Sequence, residues 1–247
     1  MIRVERLRHQ FGDRVVLEEI SFEVSKGEVV AVMGASGGGK TTLLRILTGL
    51  LRPTAGVVRL FDTDLATARG DAVDRLRPRL GIVFQSAALF DFLNVLDNVA
   101  FAVRRREGLK GEELRQRVAE KLALVGLEGT ETLMPDELSG GMKKRVAVAR
   151  ALATNPEILF YDEPTTGLDP ITRYSLDQLI RQVNEATGAT SIIVSHDLHS
   201  VLRVADRVLF LHQGRLLAGG EPIERFKESS NPTIQEIIQK AEAETLA

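Results

Sequence analysis

The 247-residue sequence predicts an α/β fold, a largely parallel buried sheet whose alternation with helices is broken once by an all-helical insertion. Three observations carry that prediction. The continuous apolar run Val29–Met33 and the stretch 80–84 read as strands buried on both faces, and 158–161, 191–194 and 208–211 read as further strands. Outside the insertion, helical stretches lie between these runs. From about residue 86 to 156 the 3.6-residue period persists with no convincing strand.

The elements follow in order. Arg14–Val24 carries Val15, Val16, Leu17, Ile20, Phe22 and Val24, alternates at its end and runs into a Lys26-Gly27 turn, so it reads as one of the short opening strands. After Val29–Met33, glycine-rich residues lead to a helix over about 40–50 that Arg52-Pro53 ends. Helices are expected over 94–106, 111–125 and 139–154. Strands then resume at 158–161. From about residue 222 a Pro- and Ser-punctuated connection leads to a final helix over 233–244.

Composition narrows the function classes. Apolar residues make up 44% and charged residues 27%, the usage of an ordinary globular chain. Lys plus Arg number 32 against 34 Asp plus Glu, a net charge of −2, which argues against binding nucleic acid or anionic lipid by bulk charge. With no Cys, disulfides, thiolate metal sites and a Cys nucleophile are excluded. No run reaches the roughly 18 apolar residues that span a bilayer, and the N-terminus lacks an apolar secretion core, so a soluble cytoplasmic chain is expected.

Gly34-Ala35-Ser36-Gly37-Gly38-Gly39-Lys40-Thr41 satisfies the P-loop pattern, between a buried strand and a helix as that pattern requires. The glycines let backbone N–H groups turn inward around a phosphate, and the helix N-terminus adds its positive dipole end. Lys40 reaches β- and γ-phosphates, and the Thr41 hydroxyl can ligate Mg²⁺. The strand at 158–161 runs into Asp162 and Glu163. Ligands of open α/β sheets bind outside the carboxyl ends of the strands, which directs both acids to the phosphate region. Asp162 suits support of Mg²⁺, and Glu163 suits polarisation of the attacking water.

Leu138-Ser139-Gly140-Gly141-Met142 opens the helix over 139–154, with Ser139 as N-cap and open N–H groups behind it. With P-loop, Leu-Ser-Gly-Gly helix and Asp-Glu strand in this order, the sequence resembles the ATP-binding-cassette (ABC) ATPases over nearly its whole length. The resemblance implies a P-loop NTPase fold with a RecA-like core, an N-terminal antiparallel β subdomain and an inserted α-helical subdomain. It divides the chain into one ATPase domain over 1–225 (core and β subdomain 1–85 and 157–225, helical subdomain 86–156) and a short tail over 226–247.

The same resemblance implies further roles. Gln85 matches the family's Q-loop, which touches Mg²⁺ or the water and relays to the membrane subunit. His196, at a strand end, matches the residue that contacts the γ-phosphate, whereas His9, His199 and His212 read as structural. Phe11 matches the aromatic that stacks on adenine, where the ring face is all that is needed; Val16 and Thr42 join it as nucleotide contacts. Asp169 matches the loop that crosses the dimer interface, and also reads as the N-cap before Pro170. ABC ATPases work as head-to-tail homodimers, with ATP held between the P-loop of one copy and Ser139, Gly140 and Gly141 of the other.

A single short cassette resembles a transporter subunit more than repair or translation types. Phe84-Gln85-Ser86-Ala87-Ala88-Leu89-Phe90, Leu133-Met134-Pro135, Met142 and Asp169-Pro170-Ile171-Thr172 resemble the ATPases of Mla-type phospholipid transporters. Such relatives imply a permease dimer, a membrane-anchored lipid-binding protein, sometimes a small STAS-domain subunit, and a place on the cytoplasmic face of the bacterial inner membrane; no nucleic acid partner is implied. Alternatives are another ABC importer or exporter, or a regulator that dimerises on ATP without transport. The apolar stretch over 86–95 suits either a partner groove or the helical lobe's own core. Lys143-Lys144-Arg145 and Arg104-Arg105-Arg106 read as solvated or dipole-complementing.

Overall fold

The computed structural model describes residues 1–246; Ala247, the end of the expected tail, lies outside the described residues. The chain begins with β1 (Ile2–Phe11), β2 (Arg14–Val24), β3 (Val29–Met33), α1 (Lys40–Leu47), β4 (Ala55–Leu60), β5 (Thr63–Asp64) and α2 (Gly70–Leu76). It continues through β6 (Leu80–Val83), α3 (Val95–Arg106), α4 (Gly111–Leu124), α5 (Gly140–Leu152), β7 (Ile158–Asp162) and α6 (Pro170–Thr187). It ends with β8 (Thr190–Ser195), α7 (Leu198–Val204), β9 (Arg207–His212), β10 (Arg215–Pro222), α8 (Ile223–Lys227) and α9 (Pro232–Leu246). These elements form two compact units, Met1–Asp74 with Ser191–Ala247, and Arg75–Thr190.

The first unit holds an antiparallel sheet in the order β2-β1-β4-β5. β1 buries Ile2, Val4, Leu7 and His9, and its register with β2 shifts between Val4 and Leu7, beside Arg6 at φ 44°. That bulge interrupts the alternation, so β1 does not stand out as a strand in the sequence. Strands β10-β9-β3-β8 form the core, with β3 parallel to both β8 and β9. All of β3 and β8 is buried, β3 as an unbroken apolar run and β8 around Ile192, Ile193 and Val194. A Gln213-Gly214 turn with φ positive at both residues joins β9 to β10 as a tight hairpin. The Asp206 carboxylate accepts the Val29 N–H at 2.9 Å, fixing the chain's entry to β3. Met33, Phe210, Leu198 and Val201 pack with Phe226 of α8 and with Ile234 and Ile238 of α9 in one cluster.

In the second unit β6 pairs in parallel with β7. Helices α3, α4 and α5 pack on one another, and α5 also packs on β6. α5 buries Val146, Ala147, Val148, Ala149, Ala151 and Leu152, which makes it the unit's central helix. Asn94 caps α3 by accepting the Asp97 N–H at 2.8 Å, and Gly188 in the left-handed region ends α6. Asn98, fully buried, bonds the N–H and carbonyl of Phe90 and the carbonyls of Leu93 and Asn94 at 2.8–3.1 Å.

The 86–95 stretch divides between its two readings. Ala87 and Val95 are buried in the unit, whereas Phe92 is 77% exposed. One basic cluster differs from expectation: Lys144 is buried, and Arg145 bonds the Val125 carbonyl at 2.6 Å and the Ser175 hydroxyl at 2.7 Å. The period of α5 turns these two inward while Lys143 stays half-exposed. Arg104, Arg105 and Arg106 are exposed, with Arg104 paired to Asp97 at 2.6 Å. No helix among the described residues is long and apolar enough to cross a membrane.

Truncating the fully buried Phe210 to Ala is expected to cost about 3–5 kcal/mol in urea unfolding through lost burial and a cavity. Phe92→Ala should stay within about 0.5 kcal/mol of the parent in the same assay.

Candidate functional site

The first unit builds a phosphate cradle between β3 and α1. Gly34 leaves β3 at φ 151°, and a Cβ there would lie 2.0 Å from the Leu211 carbonyl oxygen. Gly39, at φ 102°, would press a Cβ 2.8 Å from the Leu17 side chain and 3.1 Å from the Val16 carbonyl. Only glycine lets the chain pass so close with these angles. Gly39 is also the N-cap of α1 and supplies no side-chain acceptor, so the helix's first N–H groups stay available to an anion. Ala35, Ser36 and Gly37 are exposed, and the Gly38 N–H closes the loop onto the Ala35 carbonyl at 3.1 Å. Lys40, 7% exposed, bonds the carbonyls of Gly34 and Ala35 at 2.7 and 3.1 Å, which holds its ammonium across the cradle. Thr41 is exposed and Thr42 half-exposed on the first turn of α1.

The same unit carries Phe11, Val16, His196 and His199. Phe11 ends β1 half-exposed, with its ring edge-to-face on buried His9 at 4.7 Å. Val16 lies in β2, and its carbonyl faces both Gly39 and Gly214. His196 is exposed just after β8, and Asp197 behind it caps α7 by accepting the Ser200 N–H at 3.2 Å. His199 meets the Ala241 carbonyl at 3.1 Å, a structural contact as expected.

The second unit carries the acids and the Leu-Ser-Gly-Gly helix. β7 buries Ile158 to Tyr161 and delivers Asp162 half-buried at its carboxyl end. Glu163 follows at φ 47°, a left-handed conformation unusual for a residue with a Cβ, and its carboxylate accepts from the Thr166 hydroxyl at 3.2 Å. Gln85 is exposed two residues after β6. Ser139 caps α5 by accepting the Met142 N–H at 3.2 Å, and Ser139 and Gly140 are exposed. At Gly141 a Cβ would lie 2.6 Å from the Thr172 side chain, so α6 sets how closely that turn is packed.

Asp169 caps α6 by accepting the Ile171 and Thr172 N–H groups, each at 3.1 Å, with Pro170 at the first helical position. Hydrogen bonds from Thr172, side chain before backbone, hold its carboxyl below the usual Asp range.

A cradle that only glycine fits, a buried Lys across it and an exposed Thr hydroxyl have the form of the phosphate-binding loop of P-loop NTPases. The capped Leu-Ser-Gly-Gly helix narrows that class to the ATP-binding cassettes. A family model described as ABC transporter matches residues 17–166, and the chain belongs to that family. It is 42% identical to the intermembrane phospholipid transport system ATP-binding protein MlaF of Haemophilus influenzae, over 89% of this chain and 83% of that protein. It is 39% identical to the arginine transport ATP-binding protein ArtM of Bacillus subtilis, over 97% of this chain and 99% of that one. Among solved structures, the dimeric post-hydrolysis state of the ATP-binding cassette MJ0796 bound to ADP and Pi superposes with a TM-score of 0.80 at 33% identity, covering 90% of this chain and 99% of that one. The protein is an ATP-hydrolysing cassette, the ATPase subunit of a transporter.

Gly34→Ala and Lys40→Ala are each expected to lower ATP affinity at least tenfold in a fluorescent-nucleotide titration, the first by steric closure and the second by loss of charge. Because the folded pKa of Asp169 is depressed, its stabilising effect is complete above the unfolded value of about 3.9 and is lost as pH falls through the lower folded value. The stability advantage of the parent over Asp169→Ala, followed by thermal melts across pH, should therefore vanish on the acid side and persist at neutral pH.

Proposed function

We propose that this chain powers a bacterial phospholipid transporter as a head-to-tail homodimer under a permease dimer, on the cytoplasmic face of the inner membrane. The observation that carries this reading is the 42% identity to MlaF, together with the stretches around Gln85, Leu133 and Met142. The domain works as one ATPase over 1–225, with a helical subdomain over 86–156 and a tail from 226. A membrane-anchored lipid-binding protein and a small STAS-domain subunit complete the assembly.

Within the ATP site Phe11 stacks on adenine, with Val16 beside it. N–H groups from Gly34 through Thr42 surround the phosphates, and Lys40 neutralises charge on the β- and γ-phosphates. Thr41, Asp162 and Gln85 would hold Mg²⁺, which would supply charge withdrawal from the phosphate oxygens. Glu163 orients and polarises the water, and His196 contacts the γ-phosphate. Ser139, Gly140, Gly141 and Met142 of the second copy close over the same phosphate, with Asp169 at the interface. A lone chain lacks these ligands, so ATP binding closes the dimer and hydrolysis opens it.

A groove of about 470 Å³ in the second unit supports docking to the permease. Phe84, Ala88, Phe90 and Phe101 line it, with Arg106 and Arg150 at its polar parts. An apolar, aromatic trough of this kind takes a short amphipathic helix.

Glu163→Gln should abolish turnover, keep ATP binding and yield a stable dimer in size-exclusion chromatography with ATP; parental turnover would remove Glu163 from its role. A mild-detergent pull-down from native membranes tests the substrate class. Recovery of a multi-span permease with a lipid-binding protein and phospholipid supports the reading. A permease with a soluble amino-acid-binding protein would instead assign an importer of the ArtM kind, and the absence of any membrane protein would indicate a regulator.

A further inference from the structure

The segment after β6 is gripped by cations from α5. Lys144, only 6% exposed, donates to the Gln85 carbonyl at 2.6 Å. The Arg150 guanidinium donates to the carbonyls of Ala87 at 2.7 Å and Ala88 at 2.5 Å. Those two alanines stand in succession in the left-handed region, at φ 62° and 48°. Single residues with a Cβ visit that region at a cost, and two in a row persist only where surrounding groups over-determine them. Three successive anchors, at 85, 87 and 88, supply that determination. A buried ammonium is costly, and a core helix would be more stable with an apolar side chain at 144 unless the charge has work to do.

We propose that Lys144 and Arg150 are positioning residues for ATP hydrolysis, holding the backbone of residues 85–88 in the strained form that presents Gln85. Arg150 lines the apolar groove as well, so a helix seated there presses on the same clamp. α5 thereby joins three places by side chains one to three turns apart: the Ser139 cap, the Gln85 backbone and the groove wall.

The inference rests on the role given to Gln85 under the proposed function, and the experiment separates the two. ATPase kinetics of the full chain are compared for Gln85→Ala, Lys144→Met, Lys144→Arg and Arg150→Lys, with thermal melts to confirm folding. Lys144→Met should lower kcat about tenfold with KM for ATP within twofold, and Lys144→Arg should restore most of the loss. Arg150→Lys keeps the charge but is shorter and lacks the fixed planar fork that spans the Ala87 and Ala88 carbonyls, and should lower kcat severalfold. Adding Ala87→Gly and Ala88→Gly to it should recover part of that loss, because glycine adopts this backbone without strain.

Parental kcat in folded Lys144→Met overturns the inference, as does a Lys144→Arg variant as impaired as Lys144→Met. Where Lys144→Met does not fold, parental kcat in Arg150→Lys overturns it equally. If Gln85→Ala itself turns over at the parental rate, the role of Gln85 fails; if Gln85→Ala is slow while the folded clamp variants are not, only the clamp fails.

Discussion

The close passage of the chain beneath the Leu211 carbonyl is the constraint on which the phosphate cradle depends. Gly34 has no room for even one carbon, because β9 lies directly over the turn that leaves β3. That contact limits the path of the loop into α1, which starts without a side-chain cap. An unfilled helix N-terminus is a cost in most proteins, and here it leaves N–H groups available to an anion. The burial of β3 and β8 serves the same end, since a stiff parallel pair holds the ends of both strands, and with them Gly34 and His196, in place.

In the second unit α5 is the organising element. Its small and branched residues fill the space between α3, α4 and β6, and its N-terminal turn is left exposed behind the Ser139 cap. The cations along it do not face water uniformly. Lys144, Arg145 and Arg150 each terminate on backbone carbonyls of neighbouring loops, and α5 thereby braces the loops that carry functional residues. Such bonds from charged donors are stronger than neutral ones, by roughly a factor of two. Their removal takes the charged donors from those carbonyls and leaves a cavity at the buried Lys144.

Much of this was legible in the chain. The run Val29–Met33 and the glycines after it can be read directly, because a strand buried on both faces and a loop wrapped on phosphate each demand a narrow set of residues. Caps at Ser139 and Asp169 follow from local rules, and both side chains make their cap bonds. β1 and the β9–β10 hairpin were not legible, since bulges break the alternation of the one and a Gln-Gly turn gives only a faint signal for the other. The inward turn of Lys144 was equally hidden. A basic triplet on a helix looks solvated until the neighbours of each face are known.

The sequence by itself determined the motifs of this protein: a glycine-rich P-loop, a carboxylate pair at a strand end and a Leu-Ser-Gly-Gly turn, because each needs particular residue types within a few positions of one another. Only the tertiary structure decided which groups restrain those segments. The Leu211 carbonyl over Gly34, the Asn98 amide around Phe90 and the α5 cations on residues 85–88 join positions far apart in the chain or set on different elements. Contacts of that kind use backbone carbonyls, which every residue carries, and so leave no mark on the amino-acid sequence.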